Sequence, residues 1–203
     1  MMINRRHMIA GAALGLAFPP AQPAHAAPSE SVGAVSALQG QATAEHSGLG
    51  RKLLLADAIF LGDLVATQAR SRLAMQLGAQ TSLKLGAATR VRIDRHIADA
   101  GGELELEDGA LLFDRPSAGI KGETYLRSPY GLLAVRGTRF FAGPTRRGFG
   151  VFVDHGEVVV TAAGRNVRLV DGLGTTIRTP GAPPLRAARW RPSAIRRAFA
   201  LVE

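Results

Sequence analysis

Arg72-Leu73-Ala74-Met75-Gln76-Leu77-Gly78 is followed by Thr81-Ser82-Leu83-Lys84-Leu85-Gly86, and in both runs a large apolar side chain recurs at every second position. Successive side chains of a strand point to opposite faces, so this spacing lays Leu73, Met75 and Leu77, then Leu83 and Leu85, along one buried face. The rhythm continues at Val91 and Ile93 between Arg90, Arg92 and Asp94, at Leu104 and Leu106 between Glu103, Glu105 and Glu107, and at Val151, Val153, Val158 and Val160. Glycine turns divide the runs at Gly78, Gly86, Asp108-Gly109, His155-Gly156, Gly164 and Asp171-Gly172, where glycine accepts positive φ without a steric penalty. A helix through this region would lose about 1 kcal/mol at each interior glycine. The sequence therefore predicts an all-β fold, a rolled or β-helix-like stack of short antiparallel or mixed strands.

The flanks read differently. Residues 1–26 carry Arg5 and Arg6, an apolar stretch from Met8 to Phe18 and a small-residue exit at Ala24-His25-Ala26, the layout of a cleavable export signal. The paired arginines also suit a twin-arginine signal. The apolar stretch is shorter than the roughly 20 residues that span a bilayer, and no later run is long enough, so the mature chain is expected to lack a transmembrane span and to lie in the periplasm or be secreted. Removing 26 of 203 residues leaves 177, enough for one domain with a substantial core. Residues 27–52 read as a lead-in with a first strand. Beyond residue 179, Pro180-Gly181-Ala182-Pro183-Pro184 is loop, and Ser193 is placed to cap a short C-terminal helix with Ile195, Ala198, Phe199 and Val202 on one face.

The chain has no cysteine, which excludes disulfides, thiolate metal sites and cysteine nucleophiles. Its net charge of +9 is concentrated at the end: from residue 178 onward Arg178, Arg186, Arg189, Arg191, Arg196 and Arg197 stand against Glu203 alone. Residues 180–203 form a Pro/Arg-rich tail on a nearly neutral body.

Leu61-Gly62-Asp63-Leu64-Val65-Ala66-Thr67, the Leu-Glu-Asp-Gly-Ala-Leu segment ending at Leu111, and above all Ser128-Pro129-Tyr130-Gly131-Leu132-Leu133-Ala134-Val135-Arg136-Gly137-Thr138-Arg139-Phe140 resemble, in order and spacing, the FecR domain family. On that resemblance residues 53–179 form a FecR-like β domain. The resemblance implies a periplasmic signalling module, as in transmembrane regulators of iron-siderophore signalling and in stand-alone exported proteins. Those regulators start with a sigma-factor-controlling segment and a membrane helix, where this sequence has its export signal.

Within the motif, Pro129, Gly131, Arg136, Gly137, Thr138, Phe140 and Gly156 read as structural: a Pro turn, a bend at Gly137, a backbone-bonding Thr138 and a core Phe140. Arg136 beside Gly137 and Thr138 also has the chemistry to hold a carboxylate or phosphate. Asp154-His155 invites general-base chemistry, but a turn before Gly156 explains both residues, and no catalytic residues are assigned. His46, His96 and His155 are scattered, so neither a metal nor a cofactor is expected. Arg189, Trp190, Arg191, Arg196 and Arg197 are the candidate partner-binding residues, for an envelope protein or an extracellular ligand. An export signal removes the chain from cytoplasmic nucleic acid, and one tryptophan is a poor platform for bases. The expected function is a non-catalytic binding or signalling module; the alternatives are an envelope structural protein that binds peptidoglycan or polysaccharide and, third, an envelope hydrolase.

Overall fold

A computed structural model describes residues 30–94, 101–116 and 122–203; the export-signal segment and His96 lie outside the described residues. The chain runs β1 (Ser31–Gln39), β2 (Ala42–His46), β3 (Leu49–Lys52), β4 (Ala58–Phe60), β5 (Leu64–Thr67), β6 (Arg72–Leu77), β7 (Thr81–Leu85) and β8 (Arg90–Ile93). It continues through β9 (Gly102–Asp108), β10 (Leu111–Asp114), β11 (Thr124–Ser128), β12 (Gly131–Thr145), β13 (Gly148–Ala162), β14 (Arg165–Val170), β15 (Leu173–Ile177) and β16 (Ala188–Arg189) to one helix, α1 (Pro192–Phe199). All sixteen strands join a single curled sheet in the order β3-β2-β5-β8-β9-β11-β12-β10-β7-β6-β1-β4, with β13, β14, β15 and β16 branching from β12. Only the β9–β11 pair is parallel among the described residues, so the rolled, mixed-strand fold expected from the periodicity is the one found.

The period-two residues form the core. Leu73, Met75, Leu77, Leu83, Leu85, Val91, Ile93, Leu104 and Leu106 are at most 1% exposed, and with Phe113 against Phe140 they fill the inside of the curl. Burying each large apolar side chain contributes about 1.5–3 kcal/mol. On the polar side of β9, Glu103, Glu105 and Glu107 each meet an arginine of a neighbouring strand: Arg127, Arg92 and, for Glu107, both Arg90 and Arg92. Such half-exposed pairs each contribute at most about 1 kcal/mol. Similarly, Glu157 is hydrogen-bonded by the Arg168 guanidinium across the β13–β14 pair, which holds its carboxyl below the ordinary range.

The curl is made at one corner. The first half of β12 pairs with β11 and its second half with β10, while β13 changes partner from β14 to β15. The register between β12 and β13 slips at this crossover, between Arg136 and Phe140. Gly137 and Gly156 there have φ of 52° and 93°, and the Thr138 hydroxyl lies 2.9 Å from the carbonyls of Arg136 and Glu157 while accepting the Glu157 N–H at 3.1 Å. Asp154-His155-Gly156 is thus a bulge inside a fifteen-residue strand, not the turn the sequence suggested. The backbone ladder of the long β12–β13 hairpin continues on both sides of the irregularity, so the chain bends without reversing.

Two other expectations are corrected. The lead-in supplies three strands, not one, and these join the same sheet: β1 pairs with β6, and β2 with β5. The helix is entered at Pro192, whose fixed φ suits a first helical position; Arg191 is the N-cap residue without a side-chain cap, and Ser193 lies inside the first turn.

One polar cluster is built into the β2–β5 end. Asp63 is fully buried and accepts both arms of the Arg51 fork at 3.1 and 2.5 Å and the Phe60 N–H at 2.9 Å. His46 Nδ1 stands 3.2 Å from the same carboxylate, and the Arg51 guanidinium lies over the Phe60 ring. The histidine that looked isolated in the sequence and the Gly-Asp of the family-like opening segment meet only because β2, β3 and the β4–β5 turn come together.

Candidate functional site: an arginine-lined groove

The strip formed by β10, β12 and β13 is buried on both faces. Leu111, Phe113, Phe140, Val151 and Val153 point into the curl, while Leu112, Phe141 and Phe152 point outward and are covered by Ala198 and Val202, with Trp190, Ile195 and Phe199 packed alongside. The helical face read from the sequence therefore docks on the body. Electrostatic contacts fasten its end: Arg72 Nη2 donates to the Ala200 carbonyl at 2.9 Å, and Glu203 takes Arg139 at 3.1 Å and Lys84 at 3.5 Å. Arg139 also pairs with Asp114 and Asp154 and lies over the Phe199 ring.

Between the tail, α1 and the β12–β13 hairpin lies a groove of about 990 Å³. The hairpin end is shaped by Thr145, whose hydroxyl donates to the Gly148 carbonyl at 2.8 Å and accepts the Arg147 N–H at 3.2 Å, leaving Arg146 and Arg147 exposed at the turn. The tail is held alongside β15: Leu185 N–H donates to Thr176, the Thr175 hydroxyl donates to Leu185, and Gly174 pairs with Ala188. Trp190 then lies over Gly150 and Gly174 and stacks against Phe152 at a ring separation of 5.3 Å.

Two glycines are what let an indole lie flat here. A methyl at residue 174 would come within 2.4 Å of Trp190 Nε1 and 2.7 Å of the Val151 carbonyl. Gly174→Ala is therefore expected to displace Trp190, cost about 1–3 kcal/mol by overpacking, and shift the emission of the chain's single tryptophan to the red. Emission identical to that of the parent chain would show that Trp190 does not rest on Gly174.

Among the described residues six guanidiniums line the groove, those of Arg146, Arg147, Arg186, Arg189, Arg191 and Arg197, and no Asp or Glu does. Six other arginines of the sheet, Arg51, Arg90, Arg92, Arg127, Arg139 and Arg168, face carboxylates instead. A concavity lined by one sign of charge focuses its field and gathers counter-ions. Of the residues singled out in the tail, Arg189, Trp190, Arg191 and Arg197 come together here, whereas Arg196 is exposed on α1 outside the groove. The sequence reading missed Arg146 and Arg147, whose only signal was a pair of arginines at a turn between two strands. The motif residues Pro129, Gly131, Arg136, Gly137, Thr138, Phe140 and Gly156 do not line it. Pro129 and Gly131 belong to the β11–β12 hairpin connection, Phe140 is core, Arg136 is exposed, and Gly137, Thr138 and Gly156 make the corner. Among the described residues no cluster of three or more His, Asp or Glu side chains is arranged to hold a metal ion, and no helix is long and apolar enough to cross a membrane.

A curled, mixed β sheet closed by a docked C-terminal helix, with a cationic groove beside that helix, defines an all-β module with a candidate binding surface. Residues 63–159 match the family model described as FecR protein. Two crystal structures of a "putative anti-sigma factor" from Parabacteroides distasonis ATCC 8503 share the fold, each with a TM-score of 0.55, at 17% and 18% identity over 66% of this chain. The shared part spans 62% of those chains. No curated protein matches the sequence. Of the six groove arginines, Arg146 and Arg147 lie within the family-matched segment, and Arg186, Arg189, Arg191 and Arg197 come after it.

Proposed function

We propose that the chain works in the periplasm as a non-catalytic, FecR-type signalling module that acts by binding another envelope protein. The observation that carries this reading is a FecR domain whose C-terminal tail folds back to complete a groove whose arginines face no Asp or Glu among the described residues. The charged start, apolar stretch and small-residue exit of residues 1–26 support export.

The experiment has two arms. The full chain is expressed in a bacterial host, fractionated, and its mass measured; a periplasmic product beginning near Ala27 is expected, and an unprocessed cytoplasmic product would remove the export half of the reading. A photo-crosslinking residue at Arg189, compared with one at exposed Arg165 on the far hairpin, should then trap one stoichiometric protein partner from the first position alone. Sedimentation with purified sacculi and no protein adduct would instead favour a structural, glycan-binding role.

A further inference from the structure

The groove has three properties besides its charge. Its cations are all arginines, whose planar forks hold carboxylates bidentately where a lysine would act as a point charge. Its walls are partly apolar: Leu185 and Leu201, 40% and 39% exposed, open onto it together with Trp190. Its β16 wall has a strand on one side only among the described residues, since β16 pairs with β15 alone, so the main-chain groups of Ala188 and Arg189 facing away from β15 suit strand addition by an extended peptide. On α1, Ala194 and Arg197 follow one another at helical spacing on the flank that lines the groove, and Leu201 in the turn after the helix lines it with them.

We infer that this groove receives an extended, carboxylate-rich peptide segment of a partner protein, one that carries apolar side chains among its acidic ones. This rests on the protein-binding role proposed above and names the chemistry of its contact. The arginines meet Asp and Glu side chains, Leu185, Leu201 and Trp190 meet the apolar ones, and β16 lends its open edge. A phosphate polymer or acidic glycan would satisfy the arginines and leave the two leucines wet, which is why the peptide is favoured. Among the described residues no carboxylate pairs with the six guanidiniums, so against these residues the partner's charges need displace only water and counter-ions.

The test uses the purified chain and a random dodecapeptide library, selected in parallel on the parent and on the triple variant Arg146→Gln/Arg189→Gln/Arg197→Gln. Peptides recovered on the parent should be enriched in Asp and Glu together with Leu, Val or Phe, and should perturb Trp190 emission on titration. Their affinity should fall on the order of tenfold or more in the triple variant and should weaken as salt is raised. None of the three arginines takes part in an ion pair within the described chain, so the variant should keep the parent's circular dichroism; Leu201→Glu, which plants a carboxylate in the groove, provides the same loss by an independent route. Recovered peptides without acidic enrichment, affinity within about twofold of the parent in both variants, or inorganic polyphosphate binding more tightly than the best peptide would overturn the inference. A periplasmic crosslink that survives the triple variant would leave the binding-module reading standing and take the groove out of it.

Discussion

Asp63→Ala should destabilise the chain by about 3 kcal/mol or more, because removing one partner of a buried ion pair leaves the other uncompensated. Asp63 is fully buried and holds the Arg51 fork, the Phe60 N–H and the neighbouring His46. Alanine would leave a buried guanidinium arm, a buried amide donor and a cavity where the carboxylate stood. Arg51 keeps 31% of its side chain exposed, which moderates the loss, since water reaches part of the orphaned charge. Urea unfolding measures it. The control is the double replacement Arg51→Met/Asp63→Leu, which removes both charges and should cost less than Asp63→Ala alone. An unfolding free energy for Asp63→Ala within about 0.5 kcal/mol of the parent, the range of an ordinary surface change, would show that the cluster does not hold the β2–β5 end together.

The second large effect falls on the corner. Gly156→Ala puts a methyl 2.2 Å from the Gly137 carbonyl and 2.8 Å from Thr138, at a φ of 93°. Backbone in such a region costs a side-chain-bearing residue about 1–3 kcal/mol, and overpacking against main chain that cannot turn aside adds about 1–3 kcal/mol more. Gly164→Ala isolates the first contribution: Gly164 has a φ of 72° but nothing within 4 Å of a built Cβ. Gly156→Ala is therefore expected to lose several kcal/mol in the same unfolding measurement and Gly164→Ala only about 1. Equal losses would mean that the two bulged strands do not approach as closely at the corner as the geometry requires.

These two sites differ in how much of them the sequence discloses. Gly156 stands in a stretch, Val153-Asp154-His155-Gly156-Glu157-Val158, whose alternation marks strand on both sides, yet Asp-His-Gly suits a turn as well as a bulge. Which one forms depends on whether β12 continues alongside, and that is a contact distant in sequence. Asp63 is harder still. His46 and Arg51 belong to residues read as a lead-in, and no local spacing ties them to a carboxylate that only β2–β5 pairing brings near. The tail shows the reverse balance: Ile195, Ala198, Phe199 and Val202 reveal their shared face through helical spacing alone, although the Pro192 start displaced the expected Ser193 cap.

The local alternation of large apolar residues, the glycines between the runs and the clustering of arginines at the C-terminal end determined the strands, most of the turns, the short helix and the sign of the tail's charge, because each depends on neighbours a few residues apart. Tertiary structure alone decided that β12 and β13 bend at a shared bulge, that Asp63 is the centre of a buried cluster, and that Arg146 and Arg147 join Arg186, Arg189, Arg191 and Arg197 around Trp190. Each of these is a meeting of segments distant along the chain, settled by which sheet faces must be covered and which backbone groups must be paired.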